Sequence, residues 1–252
     1  MTQKIVAGNW KMNLNYEEAK VLLKELINNK DKFNTDVQLV ICPPIPYLSS
    51  FSEVLSGQSW IHLGSQNNFF VDKGAYTGEV SPSQLKSLGV TFGIVGHSER
   101  RDNFNEDYSV ISKKVKALLD HDIRPIFCCG EQLQVRDSNV YKEFIMKQIT
   151  DSLFKLKAEE ISKMVIAYEP IWGIGTGKTA TATQAQEIHA LIRSRIASQY
   201  DEKTANAVAI IYGGSCNGEN ANELFAQNDI DGGLIGGASL DLESFLTISN
   251  AF

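Results

Sequence analysis

Eight short runs of nearly continuous apolar residues recur along this chain, and longer amphipathic segments separate them. Strands that are apolar on both sides are typical of a parallel sheet whose two faces are both covered. The alternation therefore predicts an α/β protein built on parallel strands. The runs cover residues 5–7, 37–42, 60–63, 92–95, 125–128, 164–167, 208–212 and 233–235.

The segments between the runs have the period of α-helices with one buried side. Their apolar residues recur at spacings of three and four, and Lys, Glu or Gln occupies the other positions. Each such segment is predicted to be a helix that packs one face on the sheet. The clearest stripes are Ala19, Leu22, Leu23, Leu26 and Ile27; Tyr108, Ile111, Val115, Leu118 and Leu119; and Ala185, Ile188, Ile192 and Ile196.

Eight strand–helix units predict a single (β/α)8 barrel that takes up residues 1–252 as one domain. A doubly wound sheet is the competing architecture, and a count of eight units rather than five or six favours the barrel. A length of 252 residues suits one barrel domain. In a barrel of this kind the chemistry is expected on the loops that leave the carboxyl ends of the strands.

The net charge and the cysteine content indicate which binding partners and which cell compartment to expect. With 24 Lys+Arg against 30 Asp+Glu the net charge is −6, which argues against nucleic acid but leaves room for a small anion at one local positive site. No apolar run reaches the roughly 18 residues of a membrane span, and the N-terminal apolar stretch is too short for a signal peptide. The 4 cysteines form no CxxC pair, so a reduced, cytoplasmic protein is predicted.

Glycine pairs follow the last two predicted strands, at residues 213–214 and 236–237. Backbone N–H groups in such loops can bind an anion, and many barrels hold a phosphate group there. The alternative is that the glycines only make tight turns. Two pairs at consecutive strand ends favour a phosphate site.

Three polar residues near strand ends are candidates for catalysis. Glu169 could act as a general base, and Lys11 could supply a positive charge near the anion. His97 is predicted at a helix start, where the dipole favours the neutral imidazole. Taken singly, each is more often a solvated glutamate, a structural histidine or a surface lysine. The four histidines lack metal-ligand spacing, and the glycine-rich stretch at 173–179 fits neither nucleotide-binding pattern, so no metal or cofactor is expected.

Six segments together resemble the triosephosphate isomerase family, and the resemblance runs from the first predicted strand to the last. It implies a TIM barrel that interconverts dihydroxyacetone phosphate and D-glyceraldehyde 3-phosphate through an enediol(ate), in glycolysis and gluconeogenesis. The segments are GNWKMN at 8–13, GHSERR at 96–101, AYEPIW at 167–172, GTGK at 175–178, YGGS at 212–215 and GGASL at 236–240.

The resemblance also implies roles for individual residues. Glu169 matches the base, His97 the neutral imidazole that polarises the carbonyl, and Lys11, assisted by Asn9, the group that stabilises negative charge. Glu99 resembles a position close to the lysine and the histidine. The positions that match phosphate-binding backbone groups are Gly175, Ser215, Gly236 and Gly237.

Two loops and two cysteines complete the expectations. Residues 170–178 resemble a lid that closes over the substrate. The loop over 66–79, with Thr77 at its tip, resembles one that inserts beside the partner subunit's active site, which implies a homodimer. Cys128 is interpreted as a packing residue, whereas Cys216, next to the phosphate loop, predicts sensitivity to oxidation.

Two other interpretations stay open at this point. A different phosphate-binding barrel enzyme, such as another sugar-phosphate isomerase or an aldolase, would keep the glycine pairs without needing His97 and Glu169 in their segments. A non-catalytic barrel would be expected to have lost the lid or the three catalytic positions.

Overall fold

The strands of a computed structural model, which describes residues 2–173 and 179–252, form a closed parallel barrel. Each strand pairs with the next along the chain, and the last pairs with the first, which confirms the (β/α)8 barrel and excludes a doubly wound sheet. The strands are β1 (Lys4–Asn9), β2 (Val37–Cys42), β3 (Ile61–Ser65), β4 (Phe92–Val95), β5 (Arg124–Cys129), β6 (Val165–Tyr168), β7 (Ala209–Tyr212) and β8 (Gly232–Ile235).

Helices connect the strands and cover the outside of the barrel. The α-helices in the described ranges are α1 (Tyr16–Asn28), α2 (Leu48–Leu55), α3 (Pro82–Ser87), α4 (Ser98–Phe104), α5 (Tyr108–Asp120), α6 (Leu133–Asp137), α7 (Tyr141–Leu153), α8 (Ala158–Ile161), α9 (Ala182–Gln199), α10 (Glu202–Ala207), α11 (Ala221–Phe225) and α12 (Leu242–Ser249). Short 3-10 turns cover Lys30–Lys32, Ile45–Tyr47, Ile171–Gly173 and Gly237–Leu240.

The three predicted helical stripes are the buried faces of α1, α5 and α9. The start of α1 is fixed by a capping box, in which the Asn15 side chain accepts the N–H of Glu18 and the Glu18 side chain accepts the N–H of Asn15. Such a reciprocal pair satisfies two backbone donors that a helix start otherwise leaves open. The capping box therefore fixes where α1 begins, and the apolar stripe determines which of its faces is buried.

Two apolar layers hold the barrel. The larger lies between the strands and the helices. The smaller fills the interior with alternate residues of the strands, as the two-residue period of a strand requires. Those interior residues are Ile5, Ala7, Val40, Cys42, Phe92, Ile94, Ile126, Cys128, Val165, Ala167, Ala209, Ile211 and Leu234. Cys128 thus packs inside the barrel, as the sequence predicts.

Closure of the barrel depends on a glycine at the start of β8. Gly232 has φ 137°, and a Cβ there would lie 1.9 Å from the carbonyl oxygen of Ile5 on β1. No side chain fits at that distance, so only glycine lets the last strand reach the first. Within the described ranges, no helix is long and apolar enough to cross a membrane.

A buried histidine behind β6 and β7 makes the fold sensitive to acid. Burial lowers the pKa of His189 to about 4, and its Nδ1 lies 3.1 Å from the carbonyl oxygen of Asp229. The unfolded chain takes up the proton near pH 6.5, whereas the folded chain does so only near pH 4. This contribution to stability is complete above pH 6.5 and is lost as the pH falls through that interval, by about 3 kcal/mol in all.

We therefore expect His189→Gln, whose amide can still donate to the carbonyl of Asp229, to flatten the fall in the free energy of unfolding between pH 6.5 and pH 4.5. Chemical denaturation at fixed protein concentration measures the two slopes. Equal slopes for the variant and the wild type would show that other groups cause the acid sensitivity.

Candidate active site

A cleft of 410 Å³ opens at the carboxyl ends of the strands. Loops that follow β1, β4, β6, β7 and β8 contribute to it, so it is built from segments far apart in the sequence. Gly175 lies outside the described residues, and the other seven predicted site residues all line this cleft. The lining residues are Asn9, Lys11, His97, Glu169, Gly213, Gly214, Ser215, Cys216, Asn217, Leu234, Gly236, Gly237 and Ala238.

Glu169 is a carboxylate held almost entirely out of solvent, with an exposure of 1%. Its backbone N–H donates to the carbonyl of Cys129 at 2.7 Å, and its Oε2 accepts the N–H of Ser98 at 3.0 Å. Burial alone raises the pKa of Glu169, but the His97 imidazole, the Ser98 N–H and the Lys11 ammonium together lower it below its ordinary value. The side chain is therefore ionised at neutral pH and can accept a proton.

His97 precedes α4 and faces Glu169. Its Nδ1 accepts the N–H of Glu99 at 3.3 Å, so in the neutral ring the proton is on Nε2, which lies 3.0 Å from Oε1 of Glu169. That Oε1 has no well-aligned hydrogen-bond donor among the described residues, so the contact is close but not linear. The arrangement presents one N–H donor and one free carboxylate oxygen to the same space.

The pKa of His97 moves in the direction opposite to the sequence-based expectation. Burial lowers it, but the charge of Glu169, the contact with that carboxylate and the charge of Glu99 raise it more, and the net shift is upward. The expected effect of the helix start is outweighed because Glu169 is folded against the ring. Sequence spacing gives no sign of that contact.

Lys11, two residues after the end of β1, is held in a left-handed backbone conformation with φ 52°. Such a conformation costs a non-glycine residue on the order of 1–3 kcal/mol and persists only where neighbours impose it. Here Asn9, the last residue of β1, accepts the Lys11 N–H through Oδ1 at 3.1 Å. The amide of Gln66 donates to the carbonyls of Lys11 at 2.8 Å and of Cys42 at 2.9 Å.

The Lys11 ammonium is thereby directed along the cleft. Its Nζ lies 2.9 Å from Oε1 of Glu99. A Cβ added to Gly236 would be 3.9 Å from the same Nζ, so the ammonium passes over this glycine. Glu99 is thus an ion-pair partner of Lys11, while Gln66, which sequence reasoning assigned only to a loop, supports the lysine backbone.

The two glycine pairs differ in what surrounds them. A Cβ on Gly213 would lie 2.9 Å from Cγ of Glu169, and one on Gly214 would lie 2.3 Å from the Tyr212 hydroxyl oxygen. These glycines are required by packing. Gly237 has nothing within 4 Å of such a Cβ, so the second pair leaves open backbone beside Lys11.

The cysteine beside the glycine loops is buried, which disfavours its reactive thiolate form. Cys216 lines the cleft, and burial raises the pKa of its thiol to about 12. Oxidation and alkylation proceed through the thiolate, which is scarce at neutral pH when the pKa is that high. The environment of Cys216 therefore argues against the predicted sensitivity to oxidation.

The segment that resembles a lid is anchored at its first residues. Oε1 of the buried Glu131 accepts hydrogen bonds from the indole N–H of Trp172 at 2.9 Å, the Tyr168 hydroxyl at 3.0 Å and Nη1 of Arg136 at 2.8 Å. A carboxylate oxygen with three donors fixes the entry to this segment. Residues 174–178, which include the rest of the predicted lid, lie outside the described residues.

A closed parallel barrel with an ionised carboxylate, an imidazole and an ammonium in one cleft defines a (β/α)8-barrel enzyme of the acid–base class. The family model described as triosephosphate isomerase matches residues 4–252. The chain belongs to the triosephosphate isomerase family, and it is an isomerase.

Three relatives show how far the similarity extends. The triosephosphate isomerase of Phocaeicola vulgatus is 49% identical over 254 residues, and that of Cytophaga hutchinsonii is 46% identical over 253 residues, with all of both chains covered in each case. The triosephosphate isomerase of Lactobacillus acidophilus is 45% identical over 246 residues, which cover 98% of this chain and 97% of the relative.

Proposed function

We propose that this chain interconverts dihydroxyacetone phosphate and D-glyceraldehyde 3-phosphate, with Glu169 as the base, His97 as the proton donor to the substrate oxygens, and Lys11 and Asn9 as supporting groups. The observation that carries the proposal is the placement of the Glu169 carboxylate 3.0 Å from Nε2 of His97 in a cleft that also contains the Lys11 ammonium. Family membership supplies the substrates, and the glycolytic step follows from them.

The reaction moves two protons, one between neighbouring carbons and one between their oxygens, and it leaves the number of atoms unchanged. Oε1 of Glu169 removes the proton from the carbon beside the substrate carbonyl, and the electron pair moves onto the carbonyl oxygen. The Nε2–H of His97 and the Lys11 ammonium stabilise that oxygen, which is the group on which charge develops. The carboxylic acid then returns the proton to the neighbouring carbon, and His97 shuttles a proton between the two oxygens.

Substrate binding itself makes His97 a neutral donor. A triose placed between the two groups separates the imidazole from Glu169, which is the main cause of the raised pKa of His97. Burial and the Lys11 charge both lower that pKa, so loss of the Glu169 contact favours the neutral imidazole. A neutral imidazole polarises the carbonyl without trapping the intermediate as a strong acid would.

The phosphate is proposed to bind at the backbone of Ser215, Gly236 and Gly237, with Gly175 as a further partner from the lid. The open backbone beside Gly237 and the ammonium that passes over Gly236 support this location. Backbone N–H groups and one lysine supply positive potential locally, so the net charge of −6 does not oppose binding.

An assay of the purified chain on both triose phosphates tests the proposal. Turnover in each direction, coupled to a dehydrogenase specific for the product, is expected to reach a kcat far above that of a Glu169→Gln control. Conversion of other sugar phosphates but not of trioses would favour another phosphate-binding barrel enzyme. Binding of inorganic phosphate without any turnover would favour a non-catalytic barrel.

We also propose a homodimer formed through the loop around Thr77. Large apolar side chains on the segments that follow β1, β3 and β4 are open to solvent in the single chain: Met12 is 96% exposed, Phe104, at the end of α4, 64% and Tyr76 47%. Thr77 lies in an exposed stretch of the 66–79 loop. Apolar surface of this kind, grouped at one end of the barrel, is typical of a subunit interface.

If the loop around Thr77 forms the dimer interface, a charged side chain placed there should weaken the dimer. Wild type is expected to scatter light as about twice 27.9 kDa at micromolar concentration, and Tyr76→Glu should raise the dimer dissociation constant at least about tenfold. Val21→Glu, which places the same charge on an exposed apolar position of α1, is the matched control and should keep the wild-type mass. A wild-type mass near that of one chain would contradict the dimer.

Location and domain organisation stay predictions. A cytoplasmic protein is supported by the four cysteines, which are all free thiols and all buried. The organisation of residues 1–252 as one domain follows from the count of strand–helix units.

A further inference from the structure

The hydrogen-bonded ladder between β4 and β5 ends just before the catalytic histidine. Its last register pair is Val95 with Phe127, and the next pair would join Gly96 to Cys128. Gly96 has φ 72°, so the chain turns out of the sheet there. The carbonyls of Gly96 and Cys128 are instead bridged by one guanidinium: Nε of Arg101 donates to Gly96 at 2.6 Å and Nη2 to Cys128 at 2.7 Å.

These two carbonyls belong to the backbone that carries the acid–base pair. The peptide of Gly96 leads directly into His97. Next along β5 from Cys128, the carbonyl of Cys129 accepts the N–H of Glu169 at 2.7 Å. Arg101 therefore connects, through hydrogen bonds, the backbone segments that set the 3.0 Å separation of Nε2 of His97 and Oε1 of Glu169.

Apart from the two carbonyls, the neighbours of the Arg101 guanidinium are aromatic rings. Its guanidinium lies 5.8 Å from the ring of Tyr108 and 5.7 Å from that of Phe127, and among residues 2–173 and 179–252 it forms no ion pair with a carboxylate. A Cβ on Gly96 would be 2.9 Å from Nη2, so the fit is close. The planar guanidinium of arginine holds its N–H donors in a fixed geometry, so it can donate to two carbonyls at once. The single ammonium of a lysine is less suited to this.

We propose that Arg101 is a positioning residue for proton transfer, which sets the separation of His97 and Glu169 without touching the substrate; this inference rests on the proposed function. Misplacement of reacting groups by about 1 Å costs on the order of 100-fold in rate. Loss of the bridge should therefore affect the chemical step and leave the phosphate site, on the other side of the cleft, unchanged.

Arg101→Met and Arg101→Lys test the proposal. The control is Arg195→Met, which removes from α9 a partly buried guanidinium that lies 4.8 Å from the ring of Phe154. We expect Arg101→Met to lower kcat about 10- to 100-fold, with KM and the affinity for inorganic phosphate within about twofold of wild type. Arg101→Lys keeps the charge but can bridge only one carbonyl at a time, so it should restore part of the loss. Added guanidinium ion should partly rescue Arg101→Ala.

Nitrogen-15 NMR of the His97 ring gives a readout that does not need turnover. In Arg101→Met the pKa of His97 should fall relative to wild type, because the Glu169 charge that raises it has moved away. Wild-type kcat in Arg101→Met, or full activity of Arg101→Lys, would overturn the proposal. So would a kcat loss accompanied by lost phosphate affinity and an unchanged His97 titration, since that pattern indicates general destabilisation.

Should Arg101→Met not fold, the lysine variant and the guanidinium rescue decide the question. If wild type fails to convert either triose phosphate, the proposed function is refuted. The His97 titration still tests the geometric part of the inference in that case.

Discussion

Replacement of Glu169 by Gln is expected to lower kcat by about 10²- to 10⁴-fold in both directions, which is the usual range for loss of a general base. The amide has nearly the same size, and its oxygen can still accept the N–H of Ser98, so the fold should be unaffected. The coupled assay measures the loss. Glu143→Gln, the same exchange at an exposed position of α7, is the control and should retain wild-type activity.

The same variant should change the titration of the partner. Because the Glu169 charge is the leading cause that raises the pKa of His97, the neutral amide should let burial and the Lys11 charge lower it. Nitrogen-15 NMR follows the ring in each protein. A rate loss below tenfold would remove Glu169 from the mechanism, and an unchanged His97 pKa would show that the two groups are not coupled in solution.

Substitution of Gly130 by Ala is expected to disable the site through the backbone alone. A Cβ there would lie 1.7 Å from the carbonyl oxygen of Glu169 and 2.6 Å from its carbonyl carbon, so the chain ends of β5 and β6 must separate. We expect kcat to fall at least about 100-fold, since the base moves with its backbone. Strain in the packed loops should lower the free energy of unfolding by about 1–3 kcal/mol or more.

Gly57→Ala is the control for Gly130→Ala, because it strains the backbone without a steric clash. Gly57 has φ 80° but nothing within 4 Å of an added Cβ, and it is remote from the cleft. Its substitution should cost about 1 kcal/mol of stability and leave kcat unchanged. Denaturation and steady-state kinetics on both variants make the comparison. Near wild-type kcat in Gly130→Ala would show that the loop can adjust without moving Glu169.

The architecture could be predicted from the sequence because local patterns determine it. The continuous apolar runs give the strands, and the stripes of α1, α5 and α9 give the covering helices. The exact first and last residues of the strands were harder to predict. Asn9, for example, belongs to β1 rather than to the following loop, because it continues the register opposite Cys42.

For the active site, the sequence predicts the residues but not the contacts between them. Lys11, His97 and Glu169 could be found through their motifs, and the structure brings them together. What the sequence could not give are the contacts between distant segments: the Ser98 N–H on Glu169, the Gln66 amide on the Lys11 carbonyl, and the upward shift of the His97 pKa. Each depends on side-chain direction at a strand end, which no periodicity records.

The ion pair between Lys11 and Glu99 determines how an acidic molecule can accept a dianion. Glu99 is 48% exposed and keeps the ammonium neutralised while the cleft is empty. An arriving phosphate ester therefore competes with the Glu99 carboxylate for the same ammonium. The affinity for a phosphate ester should accordingly depend on the competition between a carboxylate fixed to the chain and a free anion.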